Sequence, residues 1–336
     1  MLNRFALSCA VFAIGLAAAA PGATAQPALA VTGKIAGPDG GWDYATFDPV
    51  HRRLYVSRTD GVMAVDTDTG KVTPKLVDAQ RTHAAVPVNG GDQIVVTSTT
   101  LGGVLIADAR TGAVLASIKT GAKPDGAFLE PVTGLVWVMD NAGGGVSLID
   151  AKTRTKVGVI PVEGALESPA TDGKGRVFIN VEDKNEIAVL DAHTRKVTGH
   201  FKLAGCEEPS GLAYSPPDGR LVSVCANGVA KVVQAADGKE VASLPIGLRG
   251  DTAVYDPRRH VVYVPTGADG KLSLISPATA KVVGVVTTQA GARTQALDPA
   301  SGTLYLPAAD FAPPAQAGGR PTAIPGTFVV LKVGGK

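Results

Sequence analysis

Seven ionisable side chains recur near one position of a repeating unit: Asp43, His83, Asp125, Glu167, Glu208, Asp251 and Arg293. Each stands about five residues before a turn of Asp-Pro type or its equivalent. Five are acids, one is an imidazole and one a guanidinium. A fold that turned them toward a common axis would concentrate negative potential and suit a cation or a basic group. Crowded carboxyls would also raise one another's pKa. Asp43, His83, Asp125 and Glu208 are the candidate metal ligands. Oxygen donors with one imidazole suit Ca²⁺, Mg²⁺ or Mn²⁺ better than structural zinc. Arg293 either pairs with a neighbouring acid or meets a substrate carboxylate. A plainer role stands beside this one. Acids at strand starts can bind backbone N–H groups of the next repeat, or sit solvated in turns.

No other motif supplies chemistry. There is no Gly-x-Ser-x-Gly elbow and no Cys-x-x-Cys pair. Gly143-Gly144-Gly145 precedes a strand and lacks the helix that a phosphate loop needs. Arg249-Gly250-Asp251 spells an adhesion tripeptide, but its aspartate belongs to the repeat. His51, His193 and His260 fall in turns and His200 on an outer strand. Trp42 and Trp137 occupy strand positions that suit packing between units. No catalytic residue is therefore assigned.

The elements that must position the ring repeat along the chain. Asp48-Pro49, Asn89-Gly90, Glu130-Pro131, Asp172-Gly173, Ser215-Pro216, Asp256-Pro257 and Asp298-Pro299 follow one another at 41 to 43 residues. A second anchor, the end of an apolar strand at Asp66, Asp108, Asp150, Asp191, Gln234 and Ser276, keeps the same period. That spacing is the length of a four-stranded propeller blade. Alternation such as Val146-Ser-Leu-Ile149 is a strand signal, and no stretch after residue 25 has a helical period. Val31-Thr-Gly-Lys34 lies 17 residues before Asp48, just as Val72-Thr-Pro-Lys75 lies 17 before Asn89. The expectation is an all-β, seven-bladed propeller whose N-terminal strand completes blade 7 as its outer strand.

Arg53-Leu-Tyr-Val-Ser57, Val65-Asp-Thr-Asp-Thr-Gly-Lys-Val72, Cys206-Glu-Glu-Pro-Ser-Gly-Leu212, Gly291-Ala-Arg-Thr294 and Ile324-Pro-Gly-Thr-Phe-Val-Val-Leu331 carry a family resemblance. They resemble the exported YVTN propeller repeats, specifically the YncE-like branch. The resemblance covers residues 26–336 and implies the propeller fold and export. Relatives of this blade type include nucleic-acid binders, cell-surface modules, lyases and lactonases. None of their active-site patterns maps residue by residue onto this chain.

Composition sets the compartment and the partners. Of 336 residues, 45% are apolar and 18% charged, too apolar for a disordered chain. Residues 1–25 read as a signal peptide: Arg4, then the uncharged run Ala10–Ala20, then Ala23-Thr24-Ala25. The run is too short for a membrane span. The rest, residues 26–336, holds 31 basic and 30 acidic residues with no basic stripe, which argues against nucleic acid and membrane surfaces. Periplasmic or secreted localisation is expected, as a monomer. Cys206 and Cys225 would meet at the top of blade 5 as a disulfide. A Pro/Gly-rich insertion at residues 311–326 of blade 7 would lie on the ring's face and cover part of the mouth. The functional expectation is non-catalytic binding of a small ligand, cation or protein partner at the acidic mouth. The alternative is a metal-assisted lyase or lactonase there, with His83 or a raised-pKa Glu as general base.

Overall fold

The computed structural model describes residues 28–313 and 321–335. The predicted leader lies outside them, as do residues 314–320 of the blade 7 insertion.

Most members of both sequence anchors are turn-building carboxylates. After the innermost strands, Asp48, Glu130, Asp256 and Asp298 are buried and accept backbone N–H groups two residues on, from Val50, Val132, Arg258 and Ala300. After the third strands, Asp66, Asp108, Asp150 and Asp191 accept the N–H of a Thr three residues on. These side chains replace backbone partners that a tight turn cannot supply, which is why the repeat is visible as Asp.

Between the turns run seven antiparallel four-stranded sheets. Their innermost strands are Trp42–Asp48, Thr82–Val88, Pro124–Leu129, Leu166–Thr171, Pro209–Ser215, Val254–Asp256 and Ala296–Asp298. Each innermost strand touches the next, and the last touches the first, so the ring closes. The outer strand of blade 7 is Leu29–Ala36, paired with Val329–Gly335 as expected. Two single-turn 3-10 segments, Asn89–Gly91 and Glu182–Lys184, are the only helical elements among the described residues.

Seven apolar clusters fill the seams, each drawn from two neighbouring blades. Trp137 is fully buried between blades 3 and 4, and Trp42 sits in the seam of blades 1 and 7. Burying one such aromatic contributes about 2–3 kcal/mol. Arg58 reinforces the closing seam. Its guanidinium lies 3.8 Å over the Phe328 ring and donates to the Pro38 and Gly40 carbonyls. Cys206 and Cys225 form a disulfide, with Cα atoms 5.4 Å apart, that ties the entry to the innermost strand of blade 5 to the end of its second strand.

Candidate metal centre

The register of the innermost strands explains how the ring forms. Trp42 pairs with Arg58, but the next pair is Ala45 with Val56, so one extra residue sits on the inner strand. The same bulge recurs at Thr82/Ala85, Pro124/Ala127, Leu166/Pro169 and Pro209/Leu212. A bulge re-aims the side chains that it carries. The residue after the first paired one is Asp43, His83, Asp125, Glu167 and, in blade 5, Ser210. In blade 6, Gly250 bridges Thr266, which makes Asp251 the equivalent.

Six of the seven expected residues hold this region, and Glu208 does not. Glu208 lies two residues too early, is exposed, and has φ of +49°. Its position is taken by buried Ser210, whose hydroxyl donates to the Gly250 carbonyl at 2.9 Å. Glu208 therefore leaves the set of metal-ligand candidates.

The other three candidates converge. Ligand atoms of Asp43, His83 and Asp125 lie within 4.8 Å of one another. His83 Nδ1 stands 2.6 Å from Asp43 Oδ2 and 3.7 Å from Asp125 Oδ1. His83 Nε2 stands 2.7 Å from the Thr99 hydroxyl. Their side chains are 10–23% exposed, so the group is sheltered but reachable. A second group lies beside it. Glu167 accepts from Tyr44 at 3.0 Å and from Asn141 at 2.6 Å, and Asn141 also reaches Glu182 at 3.3 Å. Arg293 donates to Asp251 at 2.8 Å and to the Trp42 carbonyl at 2.8 Å.

Electrostatics follow from the crowding. Burial, then the charge of Asp43, pushes Asp125 up to about 7. Burial, then Asp125 and Glu182, holds Glu167 well above the usual carboxylate range. Burial also raises Asp251, though Arg293 offsets part of that. For His83, burial alone would depress the imidazole. The Asp43 hydrogen bond and the charges of Asp125 and Asp43 outweigh it, and the net direction is upward. The crowded carboxyls thus hold protons more tightly than free ones do, and a bound cation would displace them.

Beside the ring, neutral side chains tie neighbouring inner strands together. Thr97, Thr252 and Thr294 donate to the carbonyls of Asp125, Arg293 and Asp43, and Asn180 donates to those of Ser210 and Gly211. Among the described residues, no backbone N–H donates to the carboxylates of Asp43, Asp125 or Glu167. Of the ring side chains, Ser210 and Arg293 span a seam to backbone among the described residues, at the Gly250 and Trp42 carbonyls.

Part of the blade 7 insertion reaches this face. Phe311 packs on Trp42 with ring centroids 6.1 Å apart, and the Gly326 N–H is held by Asp39 at 2.8 Å. The expected cover over the mouth falls in part on residues 314–320, which lie outside the described ones. Sequence reasoning also missed Thr99, Tyr44, Asn141 and Glu182, none of which stands at the repeated position.

No family model matches the chain. A protein of Salmonella typhimurium (strain LT2) described as uncharacterized protein YncE is 28% identical over 145 residues. That match covers 41% of this chain and 41% of the relative's own length. With the seven blades in place, the chain fits a YncE-like propeller. A chain of Kuenenia stuttgartiensis hydrazine synthase superposes with a TM-score of 0.69, over 82% of this chain and 95% of that one. At 18% identity that likeness shows the fold alone. Among the described residues, no helix is long and apolar enough to cross a membrane.

Proposed function

We propose that this YncE-like propeller is exported and binds a divalent cation at its channel mouth, through Asp43, His83 and Asp125. The observation that carries the reading is the double tether of His83. If Nε2–H donates to Thr99, the Nδ1 lone pair faces two carboxylates. That arrangement is repulsive until a proton or a metal ion sits between them. A hydrogen bond on the far nitrogen is also how proteins orient an imidazole ligand. Carboxylates suit hard cations and imidazole suits transition metals, so a mixed set favours Mn²⁺ over Ca²⁺ and Mg²⁺. Asp43 and Asp125 accept no backbone N–H among the described residues, which supports the same reading, because neither carboxylate is spent on the backbone of the next blade.

The disulfide supports an oxidising compartment and therefore the export of residues 26–336, with residues 1–25 as leader. Lyase or lactonase chemistry would need a substrate at the same cation. With both nitrogens of His83 engaged, the base in that reading would be the raised-pKa Glu167. Equilibrium dialysis of Mn²⁺ against residues 26–336 tests the proposal. One saturable site per chain is expected, lost in Asp43→Ala and in His83→Ala and kept in Glu208→Ala. Uptake that is absent, or equal in all four proteins, rejects it.

A further inference from the structure

The cation site does not use Arg293, and Arg293 is not fully used by the fold. Its Nε donates to Asp251 and its Nη2 to the Trp42 carbonyl. Its guanidinium lies 5.8 Å from the Trp42 ring centroid. These contacts fix its plane. Its Nη1 has no partner among the described residues, and it is not among the buried unpartnered atoms. The side chain as a whole is 35% exposed. A guanidinium held in place with one edge open is preorganised for a planar oxyanion.

Its position relative to the cation site is set by backbone. The Trp42 carbonyl that Arg293 grips immediately precedes Asp43, and the neighbouring Thr294 hydroxyl grips the Asp43 carbonyl at 2.9 Å. Asp43 and Arg293 are thus neighbours across the closing seam of blades 7 and 1, and the Asp43 charge acts on the guanidinium. Three protein ligands fill only half of the octahedral sphere that Mn²⁺ prefers. Loading the cation neutralises the two carboxylates that would otherwise repel an anion. A cation held by Asp43 would then share the closing seam with the open guanidinium edge.

We infer that the mouth takes a small carboxylate together with the divalent cation, one oxygen on the metal and the other on the open edge of Arg293. This rests on the cation reading above and adds the ligand class. Asp251 is part of the device, since it holds the guanidinium and leaves that edge free. The anion should not bind to the metal-free mouth, where Asp43, Asp125 and Asp251 oppose it. Lys123, whose ammonium reaches the Asn141 amide oxygen, adds positive charge near His83 and Asp125 and leaves the order of binding unchanged.

The test is retention of radiolabelled malonate by the purified protein, with and without saturating Mn²⁺. Labelled phosphate and a neutral diol serve as comparison ligands. Malonate retention is expected only with Mn²⁺, at least tenfold weaker in Arg293→Gln, with Mn²⁺ uptake in the absence of anion within threefold of wild type. Arg293→Lys, which keeps the charge at the seam without the planar fork, is expected to fall between. Several results overturn the inference: malonate retention unchanged in both variants, stronger retention of phosphate than of malonate, or Mn²⁺ uptake without any malonate retention. If wild type takes up no Mn²⁺, both the cation site and this inference fall. If it takes up Mn²⁺ but no malonate, only this one does.

Discussion

Replacing Asp125 with Asn should stabilise the metal-free protein at alkaline pH while abolishing its cation site. Asp125 is 7% exposed and faces Asp43 and His83 across the mouth. Its carboxyl is pushed from the ordinary value of 3.8 up to about 7, chiefly by burial. Between those two values the native state holds a proton that the unfolded chain has released. Wild-type stability therefore falls as pH rises through that window, and the loss is complete above about pH 7. A difference of that size corresponds to about 4 kcal/mol. His83 returns part of it when protonated, so a net gain of about 2–4 kcal/mol is expected for Asp125→Asn at pH 8. At pH 4 the wild-type carboxyl is itself neutral and the two proteins should match. Urea denaturation of chelator-treated protein at pH 4, 6 and 8 gives the comparison directly. Adding Mn²⁺ at a hundred times its dissociation constant should restore about 2.7 kcal/mol to wild type and nothing to the variant. An Asp125→Asn protein that is destabilised at pH 8, or that differs from wild type equally at pH 4 and pH 8, would refute the reasoning.

Other perturbations probe separate parts of the account. Mn²⁺ affinity should rise from pH 6 to pH 8, because Asp125 and His83 both titrate upward of their ordinary values and must release their protons to bind; a flat profile in calorimetric titrations would contradict this. Cys206→Ser with Cys225→Ser should cost about 3 kcal/mol, from a loop of 19 residues, measured by urea denaturation; intact mass under non-reducing conditions should show the wild-type thiols oxidised. Deleting residues 29–36 should unfold blade 7 and expose the Val333 and Leu331 face, read as loss of protease resistance; a truncated chain as resistant as the full one would deny the closure.

The architecture was legible in the sequence because the repeat is written in charged residues with a geometric task. Asp48, Glu130, Asp256 and Asp298 tie the turns after the inner strands, and Asp66, Asp108, Asp150 and Asp191 tie the later ones. Closure was legible from the matching distance of Val31 and Val72 to the next anchors. The site was legible only where a charge marked it. In blade 5 the pair Glu207-Glu208 drew attention two residues early, whereas a uniform count of five back from Ser215 reaches Ser210. The hydroxyls and amides that lock the seams, such as Thr97 and Asn180, carry no charge to mark them. Thr99 and Asn141 follow the ends of second strands, and Tyr44 follows a ring position by one residue. Their convergence on His83 and Glu167 depends on the bulge and on the angle between blades, neither of which one strand's pattern encodes.

The most direct measurement is pulsed electron paramagnetic resonance of the protein loaded with one equivalent of Mn²⁺. A bound ion coupled to a single imidazole nitrogen is expected, with that coupling absent in His83→Gln. A bound ion with no nitrogen coupling in wild type, or one whose spectrum is unchanged by His83→Gln, would contradict a centre built on Asp43, His83 and Asp125.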